Sequence, residues 1–380
     1  MALDRRRLIA ALASCGAPAL FAQNAVPGVT DREILVGRIT PADSPFADMA
    51  RQRRLGADAC IARINASGGI HGRRIRLLDR DDGYRADKAA AAADELLQQQ
   101  RVFALLGAFG TPTLPAIMDR AGAAGAPLVG ANSLTHDARQ PFKRHVFPVR
   151  AASLAEAAHV VRHQRTLAID RFAVLTSTEA YGPPGAAAYL AALQTAGVRP
   201  VAHIAFSAKD DPAAVARALH ASAPQSLLVA ALPKPFAVVL AHYRKLGGAA
   251  QGIAFSAMRI EDVTSALGPA AAGLGLSQPV PSPTRLGVPL VQDYRAALAA
   301  AGTAEPASYH GLEGYLEARV LAEGLRRAGR TLSREGLIDA LESLRHHDFG
   351  GVTVNYGATD RTGSTYIDIV LVGRRGELVY

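Results

Sequence analysis

One loop near residue 110 combines the residue types that hold a small anion. The loop at 108–113 follows a short apolar run at 102–106 and precedes a helix-length segment. Unpaired backbone N–H groups and the helix dipole at such a helix start attract negative charge, and the Thr111 hydroxyl adds a donor. The same pattern also suits an ordinary capped helix start, so these residues alone leave both interpretations open.

Other combinations of titratable residues fit catalysis poorly. Asp79, Asp81 and Asp82 could coordinate a hard metal ion, and the His-His-Asp run at 346–348 a transition metal. Neither has a partner cluster at ligand spacing, so both are interpreted as polar loops. The sequence contains no G-x-S-x-G, P-loop, CxxC or H-E-x-x-H pattern, and Gly-Leu-Gly at 273–275 lacks the third glycine of a dinucleotide fingerprint. We therefore expect no enzyme activity, no metal and no cofactor.

The two cysteines indicate packing rather than chemistry. Cys15 lies in the N-terminal apolar segment and Cys60 stands alone in the rest of the sequence, so we expect no internal disulfide in the mature protein. Ala57, Cys60, Ile61 and Ile64 recur at helical spacing. This spacing predicts that Cys60 is a small buried residue on one face of a helix.

The first 22 residues have the composition of an export signal. Arginines at 5–7 precede an apolar run at 8–21 that is too short to span a bilayer, and Ala22 offers a small residue for cleavage. Two variants stay open. Leu12-Ala13-Ser14-Cys15 resembles a lipobox that would leave a lipid anchor at Cys15, and the arginine run resembles a twin-arginine signal. The sequence predicts a periplasmic protein cleaved after Ala22.

The distribution of charge argues against nucleic acid as a partner. The formal charge is +9, and it falls to +7 when the first 22 residues, with three Arg and one Asp, are set aside. A nucleic-acid-binding protein gathers such charge on one patch beside stacking aromatics, whereas here the arginines are spread along the sequence. The closest clusters, at 51–54 and 73–76, are interpreted as solvated faces.

The elements that must position the loop at 108–113 are alternating strands and helices. Short apolar runs occur at 34–37, 74–78, 102–106, 127–129, 172–175, 200–205, 227–231 and 253–256. Such alternation is typical of parallel sheets covered by helices on both faces. A chain of 380 residues with this many strands is expected to form two α/β domains. Ligands of open parallel sheets lie beyond the carboxyl ends of the strands, so the loops after the strands are the candidate site.

Two local patterns add detail. Asp211 before Pro212 predicts a helix start with an aspartate cap. Near the end, helices at 308–328 and 334–344 precede a terminal strand at 366–372. This order suggests that the chain returns to the first domain before it ends in the second.

Five motifs in register resemble one known family. They read INASGGIHGR at 64–73, RDDGY at 80–84, GAFGTPT at 107–113, AYG at 180–182 and LEGY at 312–315. The first is similar to the INAAGGVNGR segment of the leucine/isoleucine/valine-binding type of periplasmic binding protein. The match runs in order from about Ile34 to the C-terminus, which is essentially the whole mature chain.

The resemblance implies a type I periplasmic-binding fold. In that fold two similar Rossmann-like α/β lobes with parallel sheets are joined by three crossover strands and close around a ligand. The crossovers would lie near 147–150, 277–282 and 351–355. Lobe 1 would comprise residues 32–148 and 278–351, and lobe 2 residues 149–277 and 352–380.

The resemblance also implies which residues bind the ligand. In the family the loop equivalent to 108–113 holds the ligand's carboxylate, which favours the Thr111 hydroxyl with the backbone of Phe109 beside it. Ala131, Asn132 and Ser133 would face this loop from the next strand.

Three further residues have two interpretations each. Tyr181 would offer an aromatic face and a hydroxyl from the second lobe, or be a hinge or surface residue. Phe46 or Met49 would form an apolar wall of the site, or pack within the first lobe.

The sequence departs from the family in two places. Members that bind amino acids place an acidic residue after the strand at 253–256, where it pairs with the ligand's ammonium. Here Met258 and Arg259 occupy that stretch, acid first appears at Glu261, and the aromatic residue expected near 232–234 is absent. A buried ammonium without a counter-charge costs several kcal/mol. We therefore expect a carboxylate with an apolar or aromatic body, with Arg259 either a second cation or solvated.

The resemblance implies a partner as well as a ligand. A monomeric periplasmic protein of this kind would deliver its small molecule to the membrane permease of an ABC transporter. The alternative is a sensor of the same fold that signals to a receptor or regulator.

Overall fold

The computed structural model describes residues 26–374 and 378–379. The predicted export signal at 1–22, with its alternative lipid anchor at Cys15, lies outside the described residues. Among the helices that are described, none is long and apolar enough to cross a membrane.

The first part of the chain builds a five-stranded parallel sheet. Its strands are β1 (Glu33–Thr40), β2 (Arg74–Asp81), β3 (Ala104–Leu106), β4 (Leu128–Val129) and β5 (Val146–Phe147). They lie in the order β2-β1-β3-β4-β5, and each neighbouring pair is parallel. Strands β3, β4 and β5 are completely buried and apolar, as expected of a sheet covered on both faces. The edge strand β2 exposes Arg74 and Arg76, which agrees with the solvated face predicted there.

Three helices connect these strands. They are α1 (Ala47–Ala66), α2 (Ala86–Asp94), which runs on as a π-helical turn at Glu95–Gln99, and α3 (Leu114–Ala123). Cys60 of α1 is a free, buried cysteine, which confirms the prediction from its spacing.

The middle of the chain builds a seven-stranded sheet. It contains β6 (Phe172–Ser177), β7 (Ala202–Phe206), β8 (Ser226–Ala230), β9 (Gln251–Ala254), β10 (Gly275–Gln278), β14 (Asp368–Val372) and β15 (Leu378–Val379). Their order is β15-β14-β10-β9-β8-β6-β7, with β14 and β15 antiparallel to their neighbours. Its helices are α4 (Ser153–Thr166), α5 (Gly182–Thr195), α6 (Pro212–Ala221), α7 (Pro233–Lys245) and α8 (Ile260–Leu267). The Asp211 carboxylate accepts hydrogen bonds from the backbone N–H groups of Ala213 and Ala214, which confirms the predicted cap of α6.

The late helices return to the first sheet. These helices are α9 (Pro289–Ala300), α10 (Tyr309–Ala328) and α11 (Arg334–Glu342), and α9 and α10 pack on α1. A small antiparallel sheet follows, formed by β11 (His347–Asp348), β12 (Thr353–Gly357) and β13 (Asp360–Ser364). Below, the five-stranded side means β1–β5 with α1–α3 and α9–α11, and the seven-stranded side means the larger sheet with α4–α8.

Helices α1 and α10 cross with their backbones in contact. A Cβ atom at Gly56 would lie 1.8 Å from the carbonyl oxygen of Gly311, and one at Gly314 would lie 2.0 Å from that of Arg53, so both positions need glycine. The crossing buries Arg53, whose side chain is 3% exposed. The prediction of a solvated face at 51–54 is therefore wrong for Arg53, because α10 covers it and supplies its carboxylate partners.

The parallel five-stranded sheet and the mainly parallel seven-stranded sheet, each with helices, confirm the predicted α/β fold class. The chain passes between the two sides after β5, after β10 and before β14. The hairpin β12–β13 still contacts the first crossing, since the Tyr356 hydroxyl donates to the carbonyl of Pro148 over 2.9 Å. The lobe boundaries at 148/149, 277/278 and 351/352 stay a prediction.

Candidate ligand-binding site

A cavity lies between the two sides of the molecule. Its lining comes from the start of α1 and from loops that follow β2, β3, β4, β5, β6 and β9, which is where an open parallel sheet holds its ligands. The cavity leaves about 410 Å³ of empty space, including its opening to solvent.

Most residues predicted from the sequence meet in this cavity. The lining includes Met49, Phe109, Thr111, Asn132, Ser133 and Tyr181. Phe46, considered as an alternative wall, also lines it.

Three predicted residues do not line the cavity. Ala131 and Met258 are each 1% exposed and pack in the hydrophobic core beside it. Arg259 points to the rim, where its Nη1 lies 2.5 Å from the Asp48 carboxylate of α1. Their contact with a ligand stays a prediction.

The loop at 108–113 is fixed by backbone pairing with the next strand's loop. The N–H of Gly110 donates to the carbonyl of Asn132 over 3.1 Å, and the N–H of Asn132 donates to Ala108 over 3.0 Å. The Thr113 hydroxyl donates back to the carbonyl of Phe109. Gly110 has a φ of +137°, and a Cβ there would lie 2.3 Å from the Thr113 hydroxyl oxygen, so this turn requires glycine.

Aromatic side chains form the apolar part of the cavity. The Phe46 ring centroid lies 4.8 Å from that of Tyr84 and 5.9 Å from that of Tyr181, so Phe46 links the two sides. Tyr84 is hydrogen-bonded to Thr111, and burial raises its pKa. Sequence analysis did not predict Tyr84 as a site residue, although Tyr84 belongs to the RDDGY motif that supported the family resemblance.

The Tyr181 side chain carries a buried hydroxyl group that makes no hydrogen bond to the described part of the chain. The residue is 4% exposed, and its hydroxyl oxygen has no hydrogen-bond partner within the described ranges. Burial also raises the pKa of Tyr181 well above its usual range, so the group is a neutral phenol. An unpaired buried hydroxyl is costly, about 1–3 kcal/mol, which a bound molecule could offset.

Two charged residues line the cavity and already neutralise each other. The Arg150 guanidinium lies 2.6 Å from the Glu156 carboxylate and 3.1 Å from that of Glu313. The other oxygen of Glu156 accepts from the hydroxyls of Ser256 at 3.0 Å and Ser277 at 2.5 Å. Sequence analysis did not predict this pair, since its serine partners lie 100 and 121 residues from Glu156, Ser256 just after β9 and Ser277 on β10.

The ion pair extends into a buried network under the cavity. Arg53 bonds to Glu313 over 2.8 Å and also to Glu317 of α10. With Arg150 and Glu156, the network holds two guanidinium groups and three carboxyl groups, and the buried His310 ring lies 3.3 Å from Glu313, so carboxyl groups outnumber guanidinium groups by one. Burial raises the pKa of Glu317 to about 7, whereas for Glu313 the charges of Arg150 and Arg53 outweigh burial and hold the pKa well below its usual range.

The polar runs considered as metal sites have structural partners. Asp79 pairs with Arg38, and Asp81 accepts from the backbone N–H groups of Ala42 and Gly83. In the second run, Asp348 accepts from the N–H groups of residues 350 and 351, which closes a turn.

The fold and the cleft define a class of ligand-binding protein. A family model described as "Periplasmic binding protein" matches residues 33–377. The chain belongs to the periplasmic binding protein family, which confirms the resemblance carried by the five motifs.

Solved structures and a curated relative agree with this assignment. An extracellular ligand-binding receptor from Verminephrobacter eiseniae is 26% identical, with a TM-score of 0.83 over 92% of this chain and 100% of that chain. A possible leucine/isoleucine/valine-binding protein from Rhodopirellula baltica, 24% identical, shares the fold with a TM-score of 0.82 over 94% of this chain and 98% of that one. An amino acid binding protein from Pseudomonas aeruginosa is 33% identical over 93 residues, 24% of this chain. That match spans only 25% of the relative's length.

Proposed function

We propose that this chain is an extracytoplasmic solute-binding protein that carries a small carboxylate-bearing molecule to an ABC transporter. The unpaired Tyr181 hydroxyl, buried in the wall of the cavity, carries this proposal. Natural proteins pair nearly all buried polar groups, so a partner is expected to come from a ligand. The protein then acts by binding alone, as its relatives do, and not as an enzyme.

The charges of the cavity favour an organic acid over an α-amino acid. Among the described lining residues, Glu156 supplies the one carboxylate, and Arg150 and two serines already occupy it. A ligand ammonium would therefore be buried without a free counter-charge, which is costly. A carboxylate can instead accept hydrogen bonds from Thr111, Asn132 and Tyr181.

The remaining lining groups suit an apolar or aromatic body. Phe46, Tyr84 and Met49 present apolar surface on the five-stranded side, and Ser133 can add a hydrogen bond at the edge. We infer that the two sides, taken as lobes with the predicted boundaries, open and close by a hinge at their crossings.

The experiment is a melting-temperature panel built from matched pairs. Leucine is compared with 4-methylpentanoate and phenylalanine with 3-phenylpropanoate, because each pair differs only by the ammonium group. A ligand at about 100 times its dissociation constant stabilises the folded protein by about 2.7 kcal/mol. For a chain of this size that is a shift of several degrees.

The two members of each pair separate the outcomes. A shift with an acid and none with its amino acid supports the proposed ligand class. A larger shift with the amino acid would keep the binding function and overturn the ligand class, in line with the name of the Pseudomonas aeruginosa relative. No shift with any member of a broad panel of acids and amino acids would contradict the function itself.

A further inference from the structure

A second cavity lies on the five-stranded side, away from the cleft between the two sides. It is framed by α1, α9 and α10 and leaves about 860 Å³ of empty space, including its opening to solvent. Its polar lining is dominated by arginine: Arg63 from α1, and Arg319 and Arg326 from α10. Nothing in the binding function proposed above uses this cavity.

The positive charge of this cavity is only partly neutralised. Asp293 is the one acidic residue among its described lining residues. Its carboxylate accepts from Nη1 of Arg319 over 3.0 Å and from Nη1 of Arg63 over 3.4 Å. A guanidinium carries five N–H donors, so these contacts leave donors of both residues for a ligand.

Arg326 is the least engaged of the three arginines. Its Nη1 lies 3.6 Å from the Glu323 carboxylate, beyond hydrogen-bond distance, and Glu323 has a closer contact of 2.9 Å with Arg327. The three guanidinium groups and one carboxylate leave a formal charge of +2 on the lining. Guanidinium groups are the usual protein partners of phosphate and carboxylate oxygens.

The floor of the cavity adds no negative charge. Cys60 and Ile64 form part of it, and burial raises the pKa of the Cys60 thiol to about 12 despite the three nearby arginines. The thiol is therefore neutral. Tyr315 lines the cavity beside Arg319, whose guanidinium carbon lies 6.0 Å from its ring centroid.

We propose that this cavity binds a compact oxyanion of two or more negative charges, held by Arg326 and Arg319 with Arg63 at its edge. The site is separate from the cleft that contains Tyr181. The ligand class follows from the surplus charge of the lining and from the fork geometry of guanidinium groups, which matches tetrahedral and planar oxyanions.

Inorganic phosphate is the probe, titrated by calorimetry at pH 7.5 and at constant ionic strength adjusted with chloride. We expect saturable binding with one phosphate per chain. Arg326→Gln should weaken this binding about tenfold, because it removes a charge-assisted hydrogen bond. Arg85→Gln, which removes an exposed arginine that pairs with Asp87 far from this cavity's lining, should leave phosphate binding unchanged.

Asp293→Asn should change the phosphate affinity in the opposite direction, which distinguishes a binding site from a purely structural cluster. Loss of this carboxylate raises the charge of the lining and releases Arg63 and Arg319, so phosphate should bind several-fold more tightly. A structural role alone would instead make both variants less stable without opposite changes in affinity. Melting temperatures of both variants confirm that they are folded.

Three results would overturn the proposal. One is the absence of saturable phosphate binding to the wild-type protein. Another is an Asp293→Asn variant that binds phosphate no better than the wild type. The third is loss of phosphate binding in Tyr181→Phe, which would place the anion in the cleft.

Discussion

The two walls of the cleft use polar groups differently. On the five-stranded side, Thr111 and Asn132 present neutral hydrogen-bonding groups beside a fixed loop. On the seven-stranded side, Glu156 faces the cavity but is paired with Arg150, while Tyr181 keeps an unpaired hydroxyl. Charge in this cleft therefore joins the two sides of the protein, and neutral groups remain available for the ligand.

Removal of Arg150 should lower stability more than any other substitution considered for this cleft. Arg150→Met leaves the buried carboxylates of Glu156 and Glu313 without this partner, so the free energy of unfolding should fall by about 3–5 kcal/mol. Urea denaturation measures the loss. Arg85→Met is the control, because its exposed pair with Asp87 should contribute nothing measurable. A loss no greater than that of the control would show that the buried charges do not hold this wall together.

The excess carboxyl group of the network should make stability depend on pH. Glu317 has a pKa of about 7 in the folded protein and about 4.3 when unfolded, so the folded state binds more protons between these values. Its contribution to stability is complete below pH 4 and is lost as the pH rises through 7. The slope is at most about 1.4 kcal/mol per pH unit.

Replacing Glu317 tests this directly. Glu317→Gln removes the titrating proton, so the decline in unfolding free energy between pH 5 and 7 should be shallower than in the wild type. Urea denaturation across this range measures the slope. If the unfolding free energy of both proteins fell equally with pH between 5 and 7, Glu317 would not be the carboxyl group that titrates in this range.

Gly110 lies in the loop at 108–113, which forms the five-stranded wall of the cleft. Gly110→Ala forces a Cβ into a backbone conformation that only glycine adopts easily and towards Thr113, so stability should fall by about 1–3 kcal/mol. Any ligand-induced rise in melting temperature should disappear with the loop geometry. Gly197→Ala is the matched control, because its φ is also positive, +69°, but its Cβ would enter open space. If the ligand raised the melting temperature of Gly110→Ala as much as that of the wild type, the loop at 108–113 would not be part of the binding site.

The smallest effect is expected at the rim. Asp48 and Arg259 form an ion pair between the two sides, and the Arg259 guanidinium lowers the pKa of Asp48. Asp48→Asn should weaken ligand binding by no more than about fivefold, since the Asp48 carboxylate is open to solvent and such pairs contribute about 0.2–1 kcal/mol. Its affinity should also depend less on salt than that of the wild type. Asp87→Asn, whose pair with Arg85 does not cross the cleft, should bind as the wild type does.

The sequence predicted β1–β4, β6–β9 and β14 with the loops of the site, because a buried parallel strand leaves a short apolar run in the sequence. It did not predict β5, β10 or the small antiparallel sheet β11–β13, which lack such a run. It did not predict the network beneath the site. Arg53 and its partner Glu313 are 260 residues apart, and nothing near Arg53 distinguishes it from a solvated arginine. The burial of Met258 could not be predicted either, because it depends on a turn after β9 that places the side chain in the core.

The most direct test of the cleft uses the phenol that the protein leaves unpaired. Calorimetry with the acid that shifts the melting temperature most should compare the wild type, Tyr181→Phe and Tyr243→Phe. Tyr243 is a buried control, since its hydroxyl accepts from the N–H of Ala250 over 3.4 Å. We expect Tyr181→Phe to bind the acid about tenfold more weakly while its own melting temperature is unchanged or higher. Unchanged affinity in Tyr181→Phe would contradict the claim that this hydroxyl is kept for a ligand.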